Sequence, residues 1–548
     1  MTTGDADRGT VSTGEVEESW PSGRQLRKLT RAATEAHTGG HMGELVSEVY
    51  SVLFSSVIAV VMVLGAVQGL NASLHPGPEA ATVDPSWLAV VVALVVIGAV
   101  IGLAGRLGPI GMGGAQALWW LTAPADRRTL LRPRLVLLPV VGALVGLVGG
   151  LLVGFLGFGA FGPKLLWITV DFMLGGAVLV LVVATGQVRA GAGGTGRMRP
   201  AVLIGDVLTA AGPLAALALV LLRPEPIAVD WAHLGPVIAG LLAGVLLADL
   251  WWLDRSLEQI SGRELRARGS VATYASGAVT SMDTRELGRA LNVNTAKDAR
   301  RRSAPMLGAR GPVTAILVGD ATVLARTPRH LIQIAVGLCV ALLGLAAGWP
   351  VVTNVVLLLA GGVLTAMATG EGARRAEMAP VLDRHFPIAG AEVRRARVLL
   401  PMVVMVPWAL VVFGLWGWVH GALVPYLLLG LVTGPVFAAG VLRAAYRKPP
   451  DWSKPLVPGP FGPMAPGVIA AFARGPDIVV LCAVPMIVAV VALGISPIVL
   501  AVQLGTSLIA LAIATRAPKD GGKGWMQRMS EQAEAQREEM QRQRGGRR

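Results

Sequence analysis

Cysteine is almost missing from these 548 residues, and tyrosine, phenylalanine and charge are scarce. Cys339 and Cys482 both sit inside apolar runs, which excludes a disulfide framework and a CxxC metal site. Charged residues make up 15% of the chain against 53% hydrophobic, a balance that excludes a soluble multidomain protein. Acidic residues are outnumbered 34 to 48 by Lys and Arg, leaving a net charge of +14. The excess suits the anionic leaflet of a membrane; nucleic acid is not an expected partner. The opening stretch MTTGDADRGTVSTGEVEESW has no short apolar core, so no cleavable signal is expected and the first span directs insertion.

Catalytic signatures are missing as well. No G-x-x-x-x-G-K-[ST] occurs, and GGKG at 521–524 lacks both the spacing and the hydroxyl of a phosphate cradle. G-x-S-x-G and H-E-x-x-H are absent. His37 and His41 stand four apart, but Gly39 and Gly40 weaken any helix between them and no carboxylate has useful spacing. The expectation is a chain with no enzymatic activity, no cofactor and no metal.

What is there is long apolar runs. A bilayer core of about 30 Å needs roughly 20 apolar residues in helix. Twelve stretches qualify, near 49–70, 86–105, 135–157, 165–185, 200–222, 233–250, 331–347, 349–369, 398–419, 421–442, 478–494 and 497–515. Pro497, just after Gly494, makes 478–515 either a tight helical hairpin, which is preferred, or one span with a re-entrant segment. With both ends placed in the cytoplasm, the inner loops hold 46 Lys and Arg, and the outer loops hold only Lys164 and Arg223. Trp87, Trp167, Trp231, Trp349, Trp416 and Trp418 fall at outer ends, and Trp251 and Trp252 at an inner end.

The expected fold is therefore all-α, a polytopic membrane protein of about twelve helices in a bacterial plasma membrane. Its parts are a cytoplasmic segment 1–48 with an interfacial helix, a six-span half 49–250, a cytoplasmic linker 251–330 with a second interfacial helix, a six-span half 331–515 and a charged tail 516–548. A duplication at a shift of 263 residues supports the two halves. WWLTAPADRRTLLRPRLVLL (119–138) matches LDRHFPIAGAEVRRARVLLP (382–401), pairing Pro124 with Pro387, Arg132 with Arg395 and Arg134 with Arg397. Parallel repeats of this kind enclose a site between them.

In the linker, SLEQISGRELRARG has helical spacing and MDTRELGRALN opens with an Asp-x-x-Glu cap signal. The run 313–331 places Ile316, Leu317, Val323 and Leu324 among Asp320, Arg326 and Arg329, as a helix along the inner leaflet would. GRQLRKLTRAATEAH (23–37) fits the same role before the first span. Ionisable residues inside spans mark ion or substrate paths, and Asp171, six residues into the fourth span, is the one deep carboxylate.

Together 119–138, 382–401 and LARTPRHL (324–331) carry a resemblance. The chain resembles a fused, duplicated permease of the ABC-2 exporter type, in particular the uncharacterised actinobacterial membrane proteins related to it. The resemblance implies a cytoplasmic interfacial helix before each half's first span, and a coupling segment between its second and third spans that seats on a separate ATPase subunit. By that likeness the coupling segments are Ala117 to Arg134 and Ala379 to Arg397. Interfaces draw most of their energy from aromatic anchors ringed by charge. Trp119, Trp120 and Leu121 beside Asp126, Arg127 and Arg128 have that character, as do Leu382, His385 and Phe386 beside Arg384, Arg394 and Arg395. Two other classes fit the same span pattern. One is a secondary transporter of the major facilitator kind, although PADRR (124–128) lacks that family's flanking glycines. The other is a membrane scaffold that transports nothing.

Overall fold

The computed structural model describes residues 22–38, 85–123, 125–158, 162–190, 199–222, 224–225, 230–280, 288, 308–378, 383, 385–447, 457–459, 462–464 and 474–516. Among these, ten helices are long and apolar enough to cross a bilayer, so the chain is an all-α polytopic membrane protein. The expected span 49–70, the cap signal in MDTRELGRALN and nearly all of the tail lie outside the described residues.

The first compact unit is built largely from residues before Arg302. It holds α1 (Gly23–Thr38), α2 (Pro85–Leu107), α3 (Gly114–Trp119), α4 (Arg127–Phe158), α5 (Pro163–Ala190), α6 (Arg199–Leu222), α7 (Trp231–Ser256) and α8 (Gly262–Thr280). The second unit holds α9 (Pro312–Ala325), α10 (Pro328–Ala347), α11 (Val351–Thr369), α12 (Glu371–Met378), α13 (Gly390–Val419), α14 (Leu423–Ala445), α15 (Pro476–Cys482), α16 (Val484–Val488) and α17 (Pro497–Thr515). A small antiparallel pair, β1 (Val457–Gly459) and β2 (Gly462–Met464), sets Val457 opposite Met464.

Glycine stripes let the helices meet backbone to backbone. On α4, Gly142, Gly146 and Gly150 lie against Gly176, Phe172 and Thr169 of α5. A Cβ on Gly146 would come within 2.1 Å of the Phe172 carbonyl oxygen, so any side chain there forces the pair apart. Gly98 and Gly102 of α2 pack in the same way on Thr209 and Gly205 of α6. Outward faces are apolar: Leu203, Val207, Leu214 and Leu221 on α6 and Leu234, Val237, Leu241 and Val245 on α7 are all exposed. In water such stripes would be a liability; in a bilayer they are the lipid-facing surface.

Both units repeat one packing scheme. In the first, α4 pairs with α5, α5 with α7, and the short α1 lies on α4. In the second, α13 pairs with α14, α14 with α17, and the short α9 lies on α13. The starts of α4 and α13, Arg127 and Gly390, are separated by the same 263 residues as the matched loops.

Several boundaries differ from the sequence expectation, among them the start of α13 at Gly390 rather than 398, and three of the differences have an evident local reason. Helix α4 begins at Arg127, well ahead of 135, because Asp126 caps it. The carboxylate accepts from the Arg128 N–H at 2.9 Å and the Thr129 N–H at 3.2 Å. The run 313–331 is two helices, not one interfacial segment, since Pro328 starts α10 after a break at Arg326 and Thr327. Its Asp320 turns inward to Arg397.

The arm 478–494 of the expected hairpin is interrupted: α15 ends at Cys482, α16 follows, and a π-helical turn Ala489–Leu493 closes it. Pro485 removes a backbone donor at the break. The freed groups are bonded by the next helix. Gln503 accepts from the Met486 N–H at 3.0 Å and donates to the Cys482 carbonyl at 3.0 Å, and the Thr506 hydroxyl donates to the same carbonyl at 3.0 Å. The other arm, α17, is a full-length helix.

Candidate functional site

Two features stand out in the first unit: the connection from α2 to α4, where the resemblance would put a coupling segment, and a cavity around Asp171.

The connection is held rigidly from below. After α2 the chain turns at Gly108, whose φ of +70° suits glycine. Ile110 is then clamped by Gln187 of α5, which accepts from its N–H at 3.1 Å and donates to its carbonyl at 2.6 Å. Met112 donates its N–H to the Leu265 carbonyl of α8 at 2.8 Å. Gly269 of α8 lies so close that a Cβ would sit 1.9 Å from the Met112 carbonyl carbon. Within α8 the buried Arg268 bonds Glu264 at 2.7 Å and the Gly105 carbonyl at 3.4 Å.

On this base the expected anchors separate. Trp119 is 71% exposed and Leu118 69%, so they project from α3 as a free apolar pair. Trp120 and Leu121 instead pack against a buried cluster that includes Leu131, Leu135, Leu253 and Leu257. The basic run is not a loose ring of charge either. Arg128 bonds Asp254 at 2.5 Å, and Arg132 grips the same carboxylate with two bonds of 2.7 and 2.8 Å. Arg134 bonds Gln116. Arg127 lies half-buried at the start of α4. Burial works to raise the Asp126 carboxyl, but the backbone donors of Arg128 and Thr129 outweigh it and hold the group below the usual carboxylate range. Residues 127–134 therefore belong to the spanning helix and tie its end to α7.

The second unit realises the matched segment differently. Leu382 and Arg384 lie outside the described residues. His385 is exposed, whereas Phe386 packs on Val393, Ala396 and Ile316. Arg394 stacks 4.1 Å from the Tyr446 ring and donates to the Arg516 carbonyl at 2.9 Å, and Arg395 is exposed. Arg397, half of a matched pair in the repeat, bonds Asp383 at 2.6 Å and Asp320 at 3.1 Å. Burial pushes the Asp320 carboxyl up despite the Arg397 guanidinium beside it. The tie from α4 to α7 through Arg132 and Asp254 thus has a counterpart in the tie from α13 to the end of α17 through Arg394 and the Arg516 carbonyl.

Asp171 lies eight residues into α5, about 12 Å from the helix start at ~1.5 Å per residue. The residue is 8% exposed, and neither carboxyl oxygen has a hydrogen-bond partner among the described residues. It faces a cavity of about 340 Å³ formed by α2, α4, α5 and α7. The walls are Val, Ile, Leu, Gly, Phe172 and Trp231, and among these lining residues Asp171 is the single ionisable one.

Sequence reasoning missed Asp254, Gln187 and Gln503, and it set Asp320 on an interfacial helix without its partner. Asp254 reads as a polar residue just past an apolar run, and the partners of Asp254 and Asp320 lie 122 or more and 77 residues away respectively. Gln503 carried one available signal, an amide inside the apolar run 497–515, whereas Gln187 lies just past the end of 165–185.

No curated protein and no solved structure matches the chain. Residues 78–455 match the model of a family described as "Family of unknown function (DUF6297)". That stretch takes in α2 through α14, well over half of the sequence, and the chain belongs to this family.

Proposed function

We propose that this membrane protein is the permease subunit of an ATP-driven exporter of the ABC type, energised by a separate ATPase subunit. In this reading twelve spans form two six-helix halves in a bacterial plasma membrane, with both termini in the cytoplasm, and the chain itself is not an enzyme. The observation that carries it is the exposed Leu118–Trp119 pair. A large apolar pair standing out beside a charged, firmly anchored loop is what a docking ATPase needs as a hot spot. Rigidity matters equally, because a contact that transmits motion must not give way. The clamps on Ile110 and Met112 and the Asp254 ion pairs supply it. The repeated packing of the two units supports a pseudo-symmetric pair of halves.

Affinity purification of the tagged chain from native membranes tests this. An ATPase subunit is expected to accompany it, and Trp119→Ala should reduce its recovery several-fold while membrane insertion is unchanged. Recovery with no ATPase would overturn the reading. Asp171 favours a second one, a secondary transporter, since a buried carboxylate suits ion coupling. Uptake abolished by a protonophore but indifferent to ATP depletion would select it.

A further inference from the structure

We infer that the Asp171 cavity is a binding site for lipophilic monocations, organic ammonium compounds with an apolar body. The inference rests on the reading of the chain as a transporter and adds the chemical class of its cargo.

Three observations lead there. First, the carboxylate is buried, points into the void and has neither oxygen bonded among the described residues. Buried polar groups are almost always satisfied, so an exception needs an explanation, and a ligand that brings the missing counter-charge is one. Second, every other lining residue is apolar or glycine apart from the indole N–H of Trp231. Such walls reject a small hydrated ion, which would lose its water for one carboxylate alone, and they reject anions outright. An apolar body with a single diffuse positive charge satisfies both walls and carboxylate. Third, Phe172 and Trp231 line the same space, and aromatic faces attract a desolvated organic cation further. The volume falls within the ordinary range for small-molecule sites.

The space beside the carboxylate is already open. A Cβ at Gly175, one turn along α5 from Asp171, would meet nothing within 4 Å. The repeat gives a contrast. In the second unit α14 pairs with α13 as α5 pairs with α4, and α14 carries no acidic residue anywhere along its length, so the acid belongs to the first unit's helix alone.

Calorimetry with the purified full chain in nanodiscs, corrected with empty discs, tests the proposal. The probe is benzyltrimethylammonium, and its uncharged isostere neopentylbenzene is the control. Saturable binding of the cation is expected, with the isostere at least about tenfold weaker. Asp171→Asn should weaken the cation about hundredfold, as removal of a buried charge partner does. Gly175→Val, which fills open space and leaves the charge, should abolish binding of both compounds while the thermal transition stays in place. Equal affinity for the two compounds, unchanged cation binding in Asp171→Asn, or no saturable binding by the unaltered chain would each overturn it. The measurement needs no ATPase, so a failed search for that subunit leaves this result standing, and failure here leaves the exporter reading standing.

Discussion

Replacing Gln187 with Leu tests how the irregular backbone after α2 is held. The side chain is 2% exposed and Ile110 is fully buried, so water cannot take over the two bonds. Leu is close in size, which keeps the packing contribution small. What is lost is the partner of one N–H at 3.1 Å and one carbonyl at 2.6 Å. At about 1–3 kcal/mol for each of the two orphaned buried groups, the substitution should lower the unfolding free energy by roughly 2–6 kcal/mol. Gln503→Leu supplies an internal comparison. It orphans the Met486 N–H, but the Thr506 hydroxyl still serves the Cys482 carbonyl, so about 1–3 kcal/mol is expected. Titration with a denaturing detergent, followed by tryptophan fluorescence, reads both. A Gln187→Leu protein within ~1 kcal/mol of the original, or one less affected than Gln503→Leu, would refute the idea that these amides satisfy otherwise stranded backbone.

Further outcomes follow from the same geometry. Trp119→Ala should change stability by less than about 0.5 kcal/mol, whereas Trp120→Ala, which removes packing against the buried cluster around Leu131 and Leu253, should lower it by about 1–3 kcal/mol; the same titration separates them. Gly146→Leu should prevent close approach of α4 and α5, and a cysteine pair engineered across that contact should lose its crosslinking in the variant. Asp126→Ala should cost about 1 kcal/mol through the lost helix cap. Because the folded carboxyl is held below its usual range, its stabilisation is present above the unfolded carboxylate range. It fades as pH falls through the folded value, so wild type and Asp126→Ala should converge in stability at the acid end of a pH series.

How much was legible beforehand divides along the range of the forces involved. Lipid acts on each helix separately, so the apolar runs at 86–105, 165–185, 200–222 and 421–442 were readable, and the helices found there differ from them by a few residues at each end. The matched loops were readable because pairing Arg132 with Arg395 needs only letters at equal spacing, and the helices after them start at the same spacing, Arg127 and Gly390. Helix starts were misjudged where a cap or an ion pair carries a helix past its apolar stretch. Asp126 and Asp254 do this for α4, and Pro328 divides what composition alone read as one run.

Sequence by itself determined that this chain is a multi-span helical membrane protein and where most of the described spans run. Only the tertiary structure decided that Trp119 stands exposed while Trp120 packs half-buried on the core, that Asp171 faces an apolar void, and that Gln187 and Gln503 hold broken backbone. The reason is physical. Hydropathy is summed along a segment, but the state of one side chain depends on which groups arrive from helices tens to a hundred residues away, and no local pattern encodes their arrival.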